Sequence, residues 1–128
     1  MTSRHPERLD LKHRLRASAE FAAVKAGASA FRGRYSLLLV LPRPGEPTRL
    51  GFVASRKSVG GAVQRNRARR RLREIVRRRW PRLAHHGYWM MFIASRGVIA
   101  APHQELASDV ERLLASAGAL SPIGAAGA

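Results

Sequence analysis

The residues best equipped for chemistry in this chain are arginines, and they are concentrated. From Arg56 to Arg79 the sequence RKSVGGAVQRNRARRRLREIVRRR carries 11 of the 24 basic residues and one acid, Glu74, so this window holds +10 of the chain's net +16. The chemistry open to such a set is recognition. Guanidinium groups grip phosphate in a bidentate fork and stack on bases. A surplus of this size repels itself and contributes nothing to a core, so it points to a polyanionic partner, bound with strong salt dependence.

Bond-making chemistry has no visible home. The eight acids, Glu7, Asp10, Glu20, Glu46, Glu74, Glu105, Asp109 and Glu111, are scattered, whereas a protein nuclease gathers carboxylates for metal ions or sets out a general acid and base. Asp109, with Glu105 and Glu111, reads as the solvent face of the last helix. His85 and His86 are adjacent, lack a third ligand at useful spacing and read as surface histidines. No nucleophilic constellation and no phosphate loop of the nucleotide-hydrolase type is present. The sequence therefore assigns no catalytic residue and no metal ligand, and places any catalysis in a partner.

The arginines are positioned by a helix. From Ala62 onward apolar residues recur at Ala68, Leu72, Ile75 and Val76, which is helical spacing. At 100° per residue, Asn66, Arg70, Arg73 and Arg77 project away from that stripe. Arg67, Arg71 and Arg78 cover one flank, and Arg65 and Arg69 fall at the stripe's edge, over the seam with the rest of the fold. Trp80-Pro81 ends the helix, and Gly60-Gly61 lets backbone amides approach a phosphate at its start.

Around this helix the chain reads as one small domain. Its 128 residues are 45% hydrophobic and include no cysteine, which excludes disulfides and thiolate metal sites and fits a reducing compartment. No apolar run is long enough to span a membrane, and the first residues lack a secretory apolar segment; a cytoplasmic protein is expected. Residues 1–10 read as a flexible basic leader, 11–115 as the domain and 116–128 as a disordered tail. Ser18 reads as the N-cap of a short helix containing Phe21 and Val24. Phe21 fits two roles, an anchor on the sheet or an aromatic face for a nucleotide. Phe31 to Leu41 reads as a strand opening on Arg32, Arg34 and Tyr35, Pro42 to Thr48 as a loop, and Arg49 to Ser55 as a second strand. Tyr88 to Ser95 is the most apolar stretch and reads as the central strand, with Met90 and Met91 in the core. A closing helix from His103 to Ala115 places Leu106, Val110, Leu113 and Leu114 on one face. The order is α-β-β-(β)-α-β-α, an α+β two-layer sandwich with helices on a small, mostly antiparallel sheet.

The motif QRNRARRRLRE, Gln64 to Glu74, preceded by SRKSVGGAV, closely resembles the signature of the bacterial ribonuclease P protein subunit. The flanks KHRLRASAEFAAV and RLGFVAS, and the apolar strand followed by a leucine-bearing helix, agree with it. The likeness runs from about Leu11 to Leu114. It implies a protein that binds the catalytic RNA of ribonuclease P and the 5′ leader of precursor tRNA, while the RNA carries out phosphodiester hydrolysis with Mg²⁺. It also implies a left-handed βαβ crossover through the basic helix, against the usual hand. Carried over by position, Arg56, Lys57, Arg65, Asn66, Arg67, Arg69, Arg70 and Arg73 contact the catalytic RNA, and Phe21, Arg34 and Tyr35 meet the leader. Ser58 and Gly60-Gly61 depart from the more basic residues common in relatives, so contact at that turn rests on Arg56 and Lys57. No small-molecule substrate is implied. A non-catalytic RNA-binding protein, such as a ribosomal or assembly factor, is the alternative; it predicts the same basic helix without an effect on cleavage.

Overall fold

The computed structural model describes residues 11–121, so the expectations for the N-terminal leader and for residues 122–128 lie outside the described residues. Four strands form one sheet in the order β1-β2-β4-β3. β1 is Ser29–Arg32, β2 is Ser36–Pro47, β3 is Arg49–Val53 and β4 is His86–Ala94. The helices are α1 (Ser18–Gly27), α2 (Ala62–Arg78), α3 (Gly97–Ala100) and α4 (His103–Ser116). β2 pairs antiparallel with both β1 and β4, and β3 pairs parallel with β4 through the α2 crossover. The α+β sandwich read from the sequence is the fold observed.

Alternation along the strands divides the core in two. Leu38, Val40, Leu50, Met90 and Phe92 belong to the larger cluster, shared with Ala68, Leu72, Ile75 and Val76 of α2 and Leu106, Val110, Leu113 and Leu114 of α4. Both helical stripes are those the sequence predicts. On the other face Trp89 and Met91 pack with Leu15 and Val24 against α1. β4 is buried on both faces, which is why its sequence is almost uninterruptedly apolar.

Several local expectations are revised. Phe31 to Leu41 is a hairpin, because the chain turns at Gly33 to Tyr35 between β1 and β2. Asp109 sets that turn, accepting hydrogen bonds from the Arg34 amide at 2.9 Å and the Tyr35 amide at 3.0 Å. A Cβ at residue 33 would lie 2.6 Å from the Asp109 carboxylate, so only glycine fits there. Asp109 is therefore 6% exposed and structural, against its reading as solvent face. Pro42 to Pro47 continues β2, with an irregularity in its pairing to β4 between Arg43 and Pro47. β1 reaches only Val40, so this part of β2 is an edge, where proline's missing donor is tolerated. α1 is capped differently from the prediction: Ala17 holds the cap position with no side-chain bond, and the Glu20 carboxylate accepts from the Arg16 amide at 2.8 Å. Burial pushes the Glu20 carboxyl up, but the Arg16 amide and the Arg49 guanidinium outweigh it and hold the group below its ordinary range. Beyond Ser116 the chain remains docked: Ala119 is buried, Leu120 bridges Leu83, and the Ser121 amide donates to the Arg82 carbonyl at 2.9 Å.

Candidate nucleic-acid interface

The basic window divides into two sets once side-chain partners are assigned. Arg71 donates to the carbonyls of Val98 and Ile99 at 2.7 and 3.0 Å, closing the C-terminal end of α3. Arg77 and Arg78 both pair with Glu74, and Arg79 reaches Glu111 at 2.8 Å and the Ile75 carbonyl at 3.0 Å. Arg71 and Arg79 tie α2 to α3 and α4, and Arg77 and Arg78 are paired within α2. Arg77, expected to face solvent, is instead half-buried because Glu74 draws it in.

The other set takes part in no ion pair among the described residues: Arg56, Lys57, Arg65, Arg67, Arg69, Arg70 and Arg73. Arg56 and Lys57 are exposed on the turn from β3 to α2. Asn66, Arg67 and Arg70 are exposed, while Arg65 and Arg69 are half-buried at the seam, as their projection predicts. Arg69 donates to the Asn66 side-chain oxygen, which aligns the two groups. Arg73 is exposed, as its projection predicts, and its guanidinium stands 5.7 Å from the centroid of Phe52. Burial lowers the Arg73 pKa, and the like charges of Arg14, Arg69, Arg70 and Arg77 lower it further. A crowd of cations with this little compensation is a site for an anion.

A partly exposed apolar surface lies on the opposite face of the sheet. α1 runs from β3, where Glu20 pairs with Arg49 at 2.9 Å, to β2, where Gly27 meets Leu41. It covers Trp89 and leaves Leu37, Leu39, Val53 and Ile93 half-exposed as an aliphatic floor. Phe21 borders that floor. A Cβ at Gly51 would stand 2.8 Å from its ring, so the missing side chain is what seats the aromatic on the sheet. Half-buried, Phe21 anchors α1 and remains partly exposed beside that floor. Tyr35 is turned away from that floor, whereas Arg34 lines a groove together with Leu37 and Ile93 at its end. Hydrogen bonding of the turn to Asp109 directs Tyr35 toward α4, where it is 8% exposed and its hydroxyl donates to Glu105 at 2.8 Å; Arg34 pairs with the same carboxylate at 3.3 Å.

Sequence reasoning passed over two features here. Trp89 lies under the guanidinium of Arg43, 4.0 Å from its centroid, with Arg49 at 5.6 Å, and strand register alone could have placed these three near each other. His13 is buried, its Nδ1–H donating to the Thr48 carbonyl at 2.7 Å, and its ring meets the Trp80 edge at 4.6 Å. His85 stacks on the same Trp80 at 4.3 Å and His86 is exposed. Among the described residues no three metal-ligating side chains converge. Each described acid pairs with arginine: Glu20, Glu46, Glu74, Glu105, Asp109 and Glu111. No helix among the described residues is long and apolar enough to cross a membrane.

A sandwich with unpaired arginines along one helix and a half-buried aromatic beside an apolar floor behind the sheet is a polyanion-binding module of α+β class. The family model for ribonuclease P matches residues 9–118. The ribonuclease P protein component of Symbiobacterium thermophilum is 43% identical over 109 residues, 84% of this chain and 93% of that protein. Its counterpart from Chloroflexus aurantiacus is 46% identical over 106 residues, covering 82% and 77%. The structure of the Staphylococcus aureus ribonuclease P protein matches with a TM-score of 0.73 at 20% identity, covering 85% of this chain and 98% of that one, a likeness of fold. The Thermotoga maritima ribonuclease P protein matches at 0.68 and 25% identity, covering 79% and 94%. The chain belongs to the ribonuclease P protein family. It is a protein subunit of a tRNA-processing ribonucleoprotein with endoribonuclease activity, and so has RNA as a partner; family membership sets aside the ribosomal or assembly-factor alternative.

Proposed function

We propose that this subunit binds the catalytic RNA of ribonuclease P through the unpaired face of α2 and the 5′ leader of precursor tRNA through the apolar surface beside Phe21, in the cytoplasm. The observation that carries this is the division of the arginines. Seven basic side chains of the window are left without a carboxylate while four are used internally, and the seven are the basic residues that the family resemblance carries over as RNA contacts. Arg65, Asn66, Arg67, Arg69, Arg70 and Arg73, with Arg56 and Lys57 at the adjoining turn, neutralise RNA phosphates. Phe21 offers its ring to an unpaired leader base, a contact worth about 1–3 kcal/mol, and the aliphatic floor excludes water beneath it. Tyr35 is left out of the leader site because it is buried against α4 with its hydroxyl on Glu105, while the exposed Arg34 stays at the margin of the floor beside Leu37 and Ile93.

Mg²⁺, bound by the RNA, supplies the charge stabilisation for phosphodiester hydrolysis. Among the described residues each carboxylate faces a guanidinium. The protein's part is electrostatic: its cations screen RNA phosphates and reduce the Mg²⁺ needed for folding and cleavage. Precursor tRNA cleavage by the cognate RNA at low, near-physiological Mg²⁺, with and without the protein, tests this. Protein-dependent cleavage at the mature 5′ end is expected; tight RNA binding with no change in rate or Mg²⁺ dependence would overturn it.

A further inference from the structure

We propose that His13 is a positioning residue for leader recognition, fastening a strap of chain that holds Phe21 in its seat. The proposal rests on the leader reading and adds to it a residue that acts only through protein contacts. β3 is an edge of the sheet, and residues 13–15 lie against it: Arg14 bridges Leu50, and the Leu15 amide donates to the Leu50 carbonyl at 2.9 Å. At one end of this strap His13 meets Trp80, which packs on the larger core cluster. At the other end Leu15 belongs to the smaller cluster, under α1. A Cβ at Gly51 would stand 2.9 Å from Leu15 Cδ1 and 2.8 Å from the Phe21 ring, so the two side chains share the space that this glycine leaves.

The upstream end of the strap is held by a bond that spans 35 residues of sequence, from the His13 Nδ1–H to the Thr48 carbonyl at 2.7 Å. A carbonyl only accepts, so Nδ1 carries the proton. The acceptor is itself fixed, because Thr48 is fully buried and its amide donates to the His85 carbonyl at 2.9 Å. His13 is 7% exposed, and loss of its N–H would leave a buried carbonyl unsatisfied, which favours opening of the strap to water. Leu15 would then lose the constraint that keeps it beside Phe21, and the ring its lateral support on the sheet. The strap borders the α2 face as well: Arg14 stands close enough to Arg73 to add, after burial, to the lowering of its pKa.

The test uses holoenzyme reconstituted from the full chain and the cognate catalytic RNA, with two variants that divide the functions of the imidazole. His13→Asn keeps a side-chain N–H for the Thr48 carbonyl and gives up the ring. His13→Phe keeps a ring against Trp80 and gives up the donor. Binding of precursor tRNA is compared with binding of mature tRNA. His13→Phe should lower the preference for precursor about fivefold, close to the loss of one stacked base, with affinity for the catalytic RNA unchanged. His13→Asn should stay within about twofold of wild type. In the free proteins, hydrogen exchange of the Leu15 amide should quicken in His13→Phe and not in His13→Asn. A wild-type preference in His13→Phe, whatever its urea midpoint, would overturn the proposal and leave His13 a residue of stability alone. The reverse order, with the preference lost in His13→Asn and kept in His13→Phe, would overturn it too. So would equal weakening of precursor and mature tRNA with reduced affinity for the catalytic RNA, which would place the effect on the α2 face through Arg14. Should the wild-type holoenzyme itself show no preference for precursor over mature tRNA, the leader reading fails and the role of His13 with it.

Discussion

Arg70→Ala and Arg71→Ala, neighbours on one helix, should have opposite consequences. Arg71 makes two charge-assisted bonds to the Val98 and Ile99 carbonyls. Its loss removes the internal donor that closes α3, and a destabilisation of about 1–3 kcal/mol follows for partly buried carbonyls. Its guanidinium is already engaged, so the salt dependence of RNA binding should hardly change. Arg70 is exposed, takes part in no ion pair among the described residues and adds to the field on Arg73. Removing it relieves repulsion, and stability should stay within about 0.5 kcal/mol of wild type or rise. Each lost phosphate contact lowers the slope of log affinity against log salt by about 0.7 to 0.9, and Arg70→Ala should show one such step. Urea unfolding of the free proteins and filter binding to the catalytic RNA over a salt series measure both quantities. The reasoning is refuted if Arg71→Ala lowers the slope as much as Arg70→Ala without loss of stability.

Two further outcomes follow from the other face of the sheet. Gly51→Ala should destabilise the fold by about 1–3 kcal/mol through overpacking, because the new methyl meets Phe21 and Leu15; combining it with Phe21→Ala should recover part of that loss in urea unfolding, and strictly additive losses would show that Phe21 does not rest there. Glu20 has its pKa lowered in the fold, so its contribution is complete above the ordinary Glu value of about 4.3 and disappears as pH falls through the folded value. Glu20→Gln should therefore be less stable than wild type at neutral pH and match it in acid; a difference that is constant with pH would contradict the assignment.

The legible parts of the molecule were those governed by local periodicity. The stripe of Ala68, Leu72, Ile75 and Val76 oriented α2, and with it the exposure of Arg67 and Arg70 and the seam position of Arg65 and Arg69. Apolar continuity marked β4 as the central strand. The failures arose where a partner distant in sequence decides a local structure. The β1–β2 turn is set by a carboxylate 74 and 75 residues away, and no feature of FRGRYS announces it. That one contact made Asp109 a core residue and turned Tyr35 toward α4. Prolines in β2 imitated a loop because the shortness of β1, which makes that stretch an edge, is a property of the pairing. Which arginines are internally engaged was equally hidden, since Glu111 and the α3 carbonyls reach α2 only in the folded chain.

The place of α2 in the topology affects how RNA occupancy is felt. Its 17 residues, about 25 Å of helix, are the connection between the parallel neighbours β3 and β4, so its two ends are fixed to the sheet. An RNA-binding arm appended to a domain can fray without harm, but α2 cannot melt without releasing the sheet's parallel pair and half the core. Binding and global unfolding therefore draw on a single equilibrium. RNA present at a hundredfold excess over its dissociation constant adds about 2.7 kcal/mol against unfolding, and protease resistance in the central strand should report whether the distant helix is occupied.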